Sequence, residues 1–350
     1  MKIIVQKYGG TSVASALSRE NVYSKILNAK KNGYSVIVVI SAMGRRGEPY
    51  ATDTLLDLIR VDCPKANPRE LDLIFSCGEI ISGTLITAKL QQQGNDAIYL
   101  TGQQAGIVTS EDFGDARIVD VNTERIKKLL GEGNIVVVAG GQGATSDGFI
   151  TTLGRGGSDT TACALGVSHD AEEIQIYTDV DGILTTDPRI VTEARLISEI
   201  SYSDCQQMAN LGAKVIHPRA VEIASQKPGI KLYIRSAFND LAGTLITNDL
   251  QKSNNPVGIA LLENQSIFKG NGFELGQKTT GELLTGLSKV SIIYGHSVTT
   301  AEIAEFISAV ESTGTSIIET TNYDNVISAW ISEMKIEAVK AVHKIIKKEE

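Results

Sequence analysis

Short aliphatic and β-branched runs alternate with longer stretches of helical periodicity through the first two thirds of the chain. Ile3-Ile4-Val5, Val36 to Ile40, Ala97 to Leu100, Ile135 to Ala139, Ile174 to Thr178 and Lys231 to Arg235 predict strands buried on both faces. Arg19 to Asn32 and Pro68 to Gln93 predict helices between them. Strand and helix in alternation predict parallel strands joined by right-handed crossovers, hence an α/β protein: a three-layer α/β/α sandwich around a mainly parallel central sheet.

The pattern changes after Thr247. The segment from Thr247 to Pro256 is polar, rich in Asn and closed by Pro, which is linker composition. It divides the chain into a first domain at 1–247, a linker at 248–256 and a small α+β region at 257–350. Beyond it, Val290 to Tyr294, Ser316 to Thr320 and Val326 to Ile331 predict strands, and Thr300 to Thr313 and Lys335 to Lys348 predict helices. In the first of these helices Ile303, Phe306, Ile307 and Val310 share one face.

Length and charge narrow the function classes. A chain of 350 residues gives a prior of about two domains. With 33 Lys+Arg against 41 Asp+Glu the formal charge is −8, which offers no bulk attraction to nucleic acid or an anionic membrane. The apolar runs are far shorter than the roughly 20 residues that span a bilayer, and the apolar stretch after Met1 is too short for a signal peptide. Cys63, Cys77, Cys163 and Cys205 form no C-x-x-C pair and have no His at ligand spacing. A soluble cytoplasmic protein with reduced thiols, no protein-held metal and no nucleic-acid or membrane partner is expected.

Four segments carry candidate chemistry. Lys7-Tyr8-Gly9-Gly10-Thr11-Ser12 ends a strand with two glycines and a lysine, a pattern that lets backbone N–H groups and one full charge approach an anion. It has neither the P-loop nor the dinucleotide spacing. Gly140 to Thr145 and Thr151 to Ala162 combine glycines, hydroxyls and Arg155, suited to a carboxylate or phosphate. Within it, Asp159 stands where a helix begins, as a cap, a first-turn acid or a functional group. Tyr177 to Arg189 follows a strand, where open α/β sheets bind ligands; its Asp179, Asp181 and Asp187 lack the framework of a calcium loop. In Gly212 to Ala220, Lys214 is a second candidate phosphate partner, and His217 before Pro218 reads as a packed or capping histidine.

In order along the chain, these motifs, with Ser41-Ala42-Met43-Gly44, Ser76-Cys77-Gly78-Glu79 and Thr101 to Gly106, resemble the aspartokinases of the amino-acid kinase superfamily over nearly all of residues 1–247. The resemblance implies the amino-acid kinase fold and transfer of the γ-phosphoryl of ATP to the side-chain carboxylate of L-aspartate, with Mg²⁺ as cofactor. That reaction opens lysine, diaminopimelate, threonine and methionine synthesis. It implies Lys7 and Lys214 as stabilisers of the transferring phosphoryl and Asp159 as the group that orients them or the metal. Arg155 would meet an aspartate carboxylate and Glu79 its ammonium, with Ser41, Thr52, Gly156, Gly157 and Ser158 completing the substrate site. Tyr8, Gly9, Gly10, Thr178, Asp179, Gly182, Asp187, Pro188, Arg189 and Val215 would join Lys7 and Lys214 around the nucleotide.

Two departures stand out. The loop from Met43 to Asp53 is longer than the commonest form, and Gly141 replaces a frequent aromatic. Aspartokinases usually carry two ACT modules. Val290 to Lys348 resembles the second, while Asn255 to Leu287 holds a strand or two of the first. This implies a shortened, ACT-like regulatory region that retains homodimer or higher pairing and responds weakly, if at all, to lysine or threonine. Rival readings are a kinase for another carboxylate or amino acid, and a silent sensor. Retention of both lysines disfavours the sensor.

Overall fold

The structure, a computed structural model, describes residues 1–213, 216–248, 256–270 and 281–348. By contacts the chain forms two compact units, Met1–Ile183 with Ile216–Asp249, and Leu184–Val215 with Leu250–Glu350. The division therefore does not fall at a single linker: Leu184–Val215, expected in the first domain, packs with the C-terminal residues.

In the first unit the strands β1 (Ile3–Tyr8), β2 (Ser35–Ile40), β3 (Ala97–Leu100), β4 (Ile107–Thr109), β5 (Ile118–Val121), β6 (Ile135–Ala139), β7 (Gln142–Ala144), β8 (Ile150–Thr152) and β9 (Glu173–Thr178) precede the excursion. Strand β10 (Glu199–Ser201) lies in the second unit; β11 (Lys231–Ser236) and β12 (Thr244–Thr247) return to the first. The helices up to this point are α1 (Gly10–Val13), α2 (Ala16–Lys31), α3 (Thr52–Asp62), α4 (Pro68–Gln92), α5 (Glu124–Gly131), α6 (Gly157–Ser168), α7 (Tyr202–Asn210) and α8 (Pro218–Ser225). Of these, α7 belongs to the second unit.

The central sheet of the first unit runs β12-β11-β9-β1-β2-β6-β3, parallel throughout except for the β11–β12 pair. Alternation decides its faces. Ile4, Tyr8, Val36, Val38, Ile40, Ile135 and Val137 point to α2 and α4, where they meet Val22, Ile26, Ile86 and Leu90. Val5 and Ile174 point the other way, against α6, where a Cβ on Gly166 would stand 2.5 Å from the Ile174 side chain. The expected three layers are therefore present. A second sheet, β5-β4-β7-β8, was not apparent from the sequence, because its strands are three or four residues long and interrupted by glycine and polar residues.

Helix ends follow local chemistry. Ser15 and Ser18 form a reciprocal capping box at the start of α2, and Asn67 caps α4 ahead of Pro68, a residue suited to a first helical position. By length and composition α4 could cross a membrane. In the fold its Ile86 and Leu90 are fully buried against the central sheet.

The second unit adds β13 (Pro256–Gly270), β14 (Gly281–Tyr294), α9 (Thr300–Glu311), β15 (Ile317–Tyr323), β16 (Val326–Ile331) and α10 (Lys335–Lys348). They form one antiparallel sheet in the order β13-β14-β16-β15. Phe306, Val310, Val339 and Val342 from the two helices pack on Val290, Ile292, Ile327 and Ala329 of the sheet. Residues 256–270 and 281–287, expected as remnants of a separate module, instead belong to this same sheet: β13 pairs along β14, and β14 continues without a break into the predicted strand at Val290.

Candidate active site

Backbone bonds gather the carboxyl ends of three adjacent parallel strands. Ser41 N–H donates to Tyr8 O at 3.2 Å, Gly140 N–H to Ile40 O at 2.8 Å and Gly44 N–H to Gly10 O at 3.1 Å. The approach at Gly10 requires glycine, since a Cβ there would lie 2.6 Å from Ala42 O. Beside these ends opens a cavity of about 670 Å³. Lys7, Gly10, Ser41, Thr52, Glu79, Arg155, Gly156, Gly157, Ser158 and Asp159, singled out from sequence, all line it.

Its charged centre is an ion pair. Lys7 Nζ lies 2.7 Å from Asp159 Oδ1, and both side chains are almost enclosed. Asp159 stands in the first turn of α6, where the helix dipole favours an acid, and its carboxylate holds the ammonium of Lys7. That ammonium retains donors for a further oxyanion.

Helix α4 supplies the opposite wall. Glu79 is 2% exposed; its Oε1 accepts from Ala42 N–H at 3.2 Å, while Oε2 is buried with no partner. Burial pushes the Glu79 carboxyl up to about 8, against the smaller opposing effect of backbone hydrogen bonds. Two turns earlier, Asp72 accepts from Gly114 N–H at 3.0 Å, Thr152 N–H at 2.9 Å and the Thr152 hydroxyl at 2.5 Å. Burial raises its carboxyl too, and these donors partly offset that.

The Arg155 loop is fixed from outside. Gly156 caps α6 in the left-handed region at φ 67°, and a Cβ on it would stand 2.3 Å from the His217 side chain. His217 is a capping residue, as read from the sequence. Its Nδ1 accepts from Arg219 N–H at 3.3 Å, and burial followed by the Arg219 charge lowers its basicity. Arg219 in turn pairs with Asp115 at 2.9 Å and reaches Leu153 O.

The chain matches a known family. The Amino acid kinase family matches residues 2–236. Aspartokinase 1 of Bacillus subtilis (strain 168) is 49% identical over 248 residues, covering 71% of this chain and 61% of that protein. The aspartokinase of Bacillus sp. (strain MGA3) is 44% identical over 296 residues, covering 84% of this chain and 68% of that protein. The chain belongs to the aspartokinases of the amino acid kinase family. It spans about three fifths of the first relative's length. Among solved structures, aspartate kinase from Synechocystis superposes with a TM-score of 0.62 at 30% identity, covering 98% of this chain and 69% of that one. Escherichia coli aspartokinase III in complex with aspartate and ADP superposes at 0.83 with 22% identity, over 99% of this chain and 100% of that one, a likeness of fold.

Not every aspartokinase position expected at the nucleotide joins the cavity. The Tyr8 side chain is fully buried on the opposite sheet face, stacked on Tyr177 at 4.9 Å, so it offers a ligand no side-chain contact. Strand alternation turns it away from Lys7. Thr178, Asp179 and Gly182 lie at and beyond the end of β9 in the same unit, where Asp179 pairs with Arg45 of the long loop at 2.8 Å. Gly9 N–H reaches Tyr177 O at 3.3 Å. Asp187, Pro188 and Arg189 lie in the second unit, with Arg189 paired to Asp187 at 2.6 Å. Lys214 and Val215 lie outside the described residues.

Sequence reasoning missed Asp72, Phe75, Asp53 and Arg60, which also line the cavity. Helical spacing could have found two of them: Asp72 and Phe75 precede Glu79 by seven and four residues, on one face of α4.

Proposed function

We propose that this aspartokinase transfers the γ-phosphoryl of ATP to the side-chain carboxylate of L-aspartate, giving 4-phospho-L-aspartate and ADP. The observation that carries this reading is the buried, unpartnered Oε2 of Glu79 in a cavity that also presents Arg155 and the Lys7–Asp159 pair. A buried carboxyl with an unpartnered oxygen can receive the ammonium of an amino acid, which favours its ionised form. Arg155 then receives the α-carboxylate, which directs the side-chain carboxylate toward Lys7.

The acceptor oxygen forms a bond to the γ-phosphorus as the bond to the β–γ bridging oxygen breaks, and the electron pair leaves with ADP. A carboxylate nucleophile needs no base. The chain's task is therefore positioning and charge stabilisation. Lys7 neutralises charge on the transferring group, Asp159 holds Lys7, and Lys214 is proposed as the second cation. The backbone N–H of Gly10 suits the phosphates. Mg²⁺ would arrive with the nucleotide and neutralise phosphate charge.

The finer expectations extend the same reading: supply of lysine, diaminopimelate, threonine and methionine synthesis in the cytoplasm, and self-association as a homodimer or higher oligomer through residues 257–350. The test is ADP release with Mg-ATP and L-aspartate, beside L-glutamate, N-acetylglutamate and no acceptor. Aspartate-dependent turnover is expected. Turnover only with another acceptor, or ATP binding without turnover, would overturn the assignment.

A further inference from the structure

A second polar cavity, of about 370 Å³, opens on the sheet face that carries α2. Lys25 and Asn28 from α2, Gln6 from β1, Glu173 and Gln175 from β9 and Arg235 from β11 line it. The floor is satisfied within the fold. Glu173 Oε2 accepts from Gln175 Nε2 at 2.9 Å, and Gln175 Oε1 accepts from Gln6 Nε2 at 3.0 Å and the Tyr177 hydroxyl at 2.9 Å. Gln6 Oε1 accepts from the Tyr8 hydroxyl at 3.1 Å. An ionised carboxylate only accepts, so Glu173 orients both amides in one direction. Lys25 Nζ donates to Asn239 O at 2.8 Å and Asp240 Oδ1 at 2.9 Å.

Arg235 differs. Its guanidinium stacks on the Tyr233 ring at 4.2 Å and lies close to the Tyr177 hydroxyl. Its Nε is buried with no acceptor, and no carboxylate among the described residues forms an ion pair with it. A guanidinium left in this state at the wall of a cavity is costly, whereas its planar fork matches a carboxylate or phosphate. The volume lies in the range of small-molecule sites.

We infer that this cavity binds a small anion, a carboxylate or a phosphate, seated on Arg235. Position along the strands sets the orientation. Arg235 pairs in register with Tyr177 and Glu173 with Lys231. Glu173 thus lies four residues from Arg235 in register, and its carboxylate is taken up by the Gln175 amide rather than by the guanidinium. The anion occupies the Arg235 end, beside the Lys25–Asp240 ion pair, and uncharged parts of the ligand face the amides of Gln6 and Asn28. This site does not depend on the aspartokinase reaction.

The test is an NMR titration of the full chain with inorganic phosphate and, separately, succinate, at ionic strength held constant with sodium chloride. The probes are the Arg235 Nε–H signal, assigned by its loss in Arg235→Lys, and the side-chain amides of Gln6 and Gln175. A saturable shift with a midpoint below about 10 mM is expected with at least one anion. It should persist in Lys7→Ala, which weakens the catalytic cavity, and the amide response should weaken at least about tenfold in Arg235→Gln or, should that variant unfold, in Lys25→Gln. Response to phosphate alone or succinate alone identifies the ligand class. Linear, non-saturating shifts with both anions, or loss of response in Lys7→Ala, would overturn the inference.

Discussion

Lys7 Nζ stands 2.7 Å from Asp159 Oδ1, joining the end of β1 to the first turn of α6. The pair holds a flexible side chain at one place in the cavity. Lys7→Ala removes the charge, and kcat should fall by roughly 10²–10³-fold. Asp159→Asn keeps the lysine and loosens its anchor, so the loss should be smaller. Steady-state kinetics on both variants decide this; equal losses would assign Asp159 a direct role on the reacting groups.

Glu79 gives a proton signature. Its carboxyl is pushed up to about 8, so near neutral pH the free protein holds it mostly protonated. An ammonium ion seated on it favours the ionised form. Aspartate binding at pH 7 should therefore release close to one proton, seen by calorimetry as a heat that varies with buffer ionisation enthalpy. Glu79→Gln should abolish the release and raise KM for aspartate by about 10–100-fold.

The same shift has a consequence for folding. A carboxyl raised in the folded state keeps a proton that the unfolded chain has lost, so stability falls as pH rises from about 4.5 toward 8. Urea unfolding across that range should show a shallower decline in Glu79→Gln than in the unmodified protein. Parallel curves would refute it.

Asp72 holds structure together at the wall of the cavity. It satisfies the N–H groups of Gly114 and Thr152, so Asp72→Ala leaves two partly buried donors without acceptors. A loss of about 2–4 kcal/mol in denaturant unfolding is expected. At Gly156 the reason is conformational. With φ at 67° and His217 in the way, Gly156→Ala should cost about 1–3 kcal/mol and reduce turnover by displacing Arg155.

Much of the central sheet was legible because its strands are buried on both faces and read as uninterrupted aliphatic runs, as at Val36 to Ile40. Much of the cavity lining was legible because glycines and hydroxyls cluster around Arg155 and Asp159 for no ordinary structural need. Asp72 escaped notice because an acid on a helix is usually solvated, and nothing local shows that Gly114 and Thr152 come to meet it. The β5-β4-β7-β8 sheet escaped because strands this short carry too little periodicity.

Local periodicity and residue chemistry, both present in the sequence by itself, determined the alternation of strands and helices, the glycine-rich turns, the capping role of His217, and the residues suited to phosphate and carboxylate. Tertiary structure decided everything that depends on distant segments meeting. It set Asp159 against Lys7, buried Glu79 until an ordinary acid became a proton-holding one, turned Tyr8 from the cavity into the core, and drew Leu184–Val215 into the second unit. A side chain's charge and shape are written in the chain, but its burial and its partners exist only once the layers close around it.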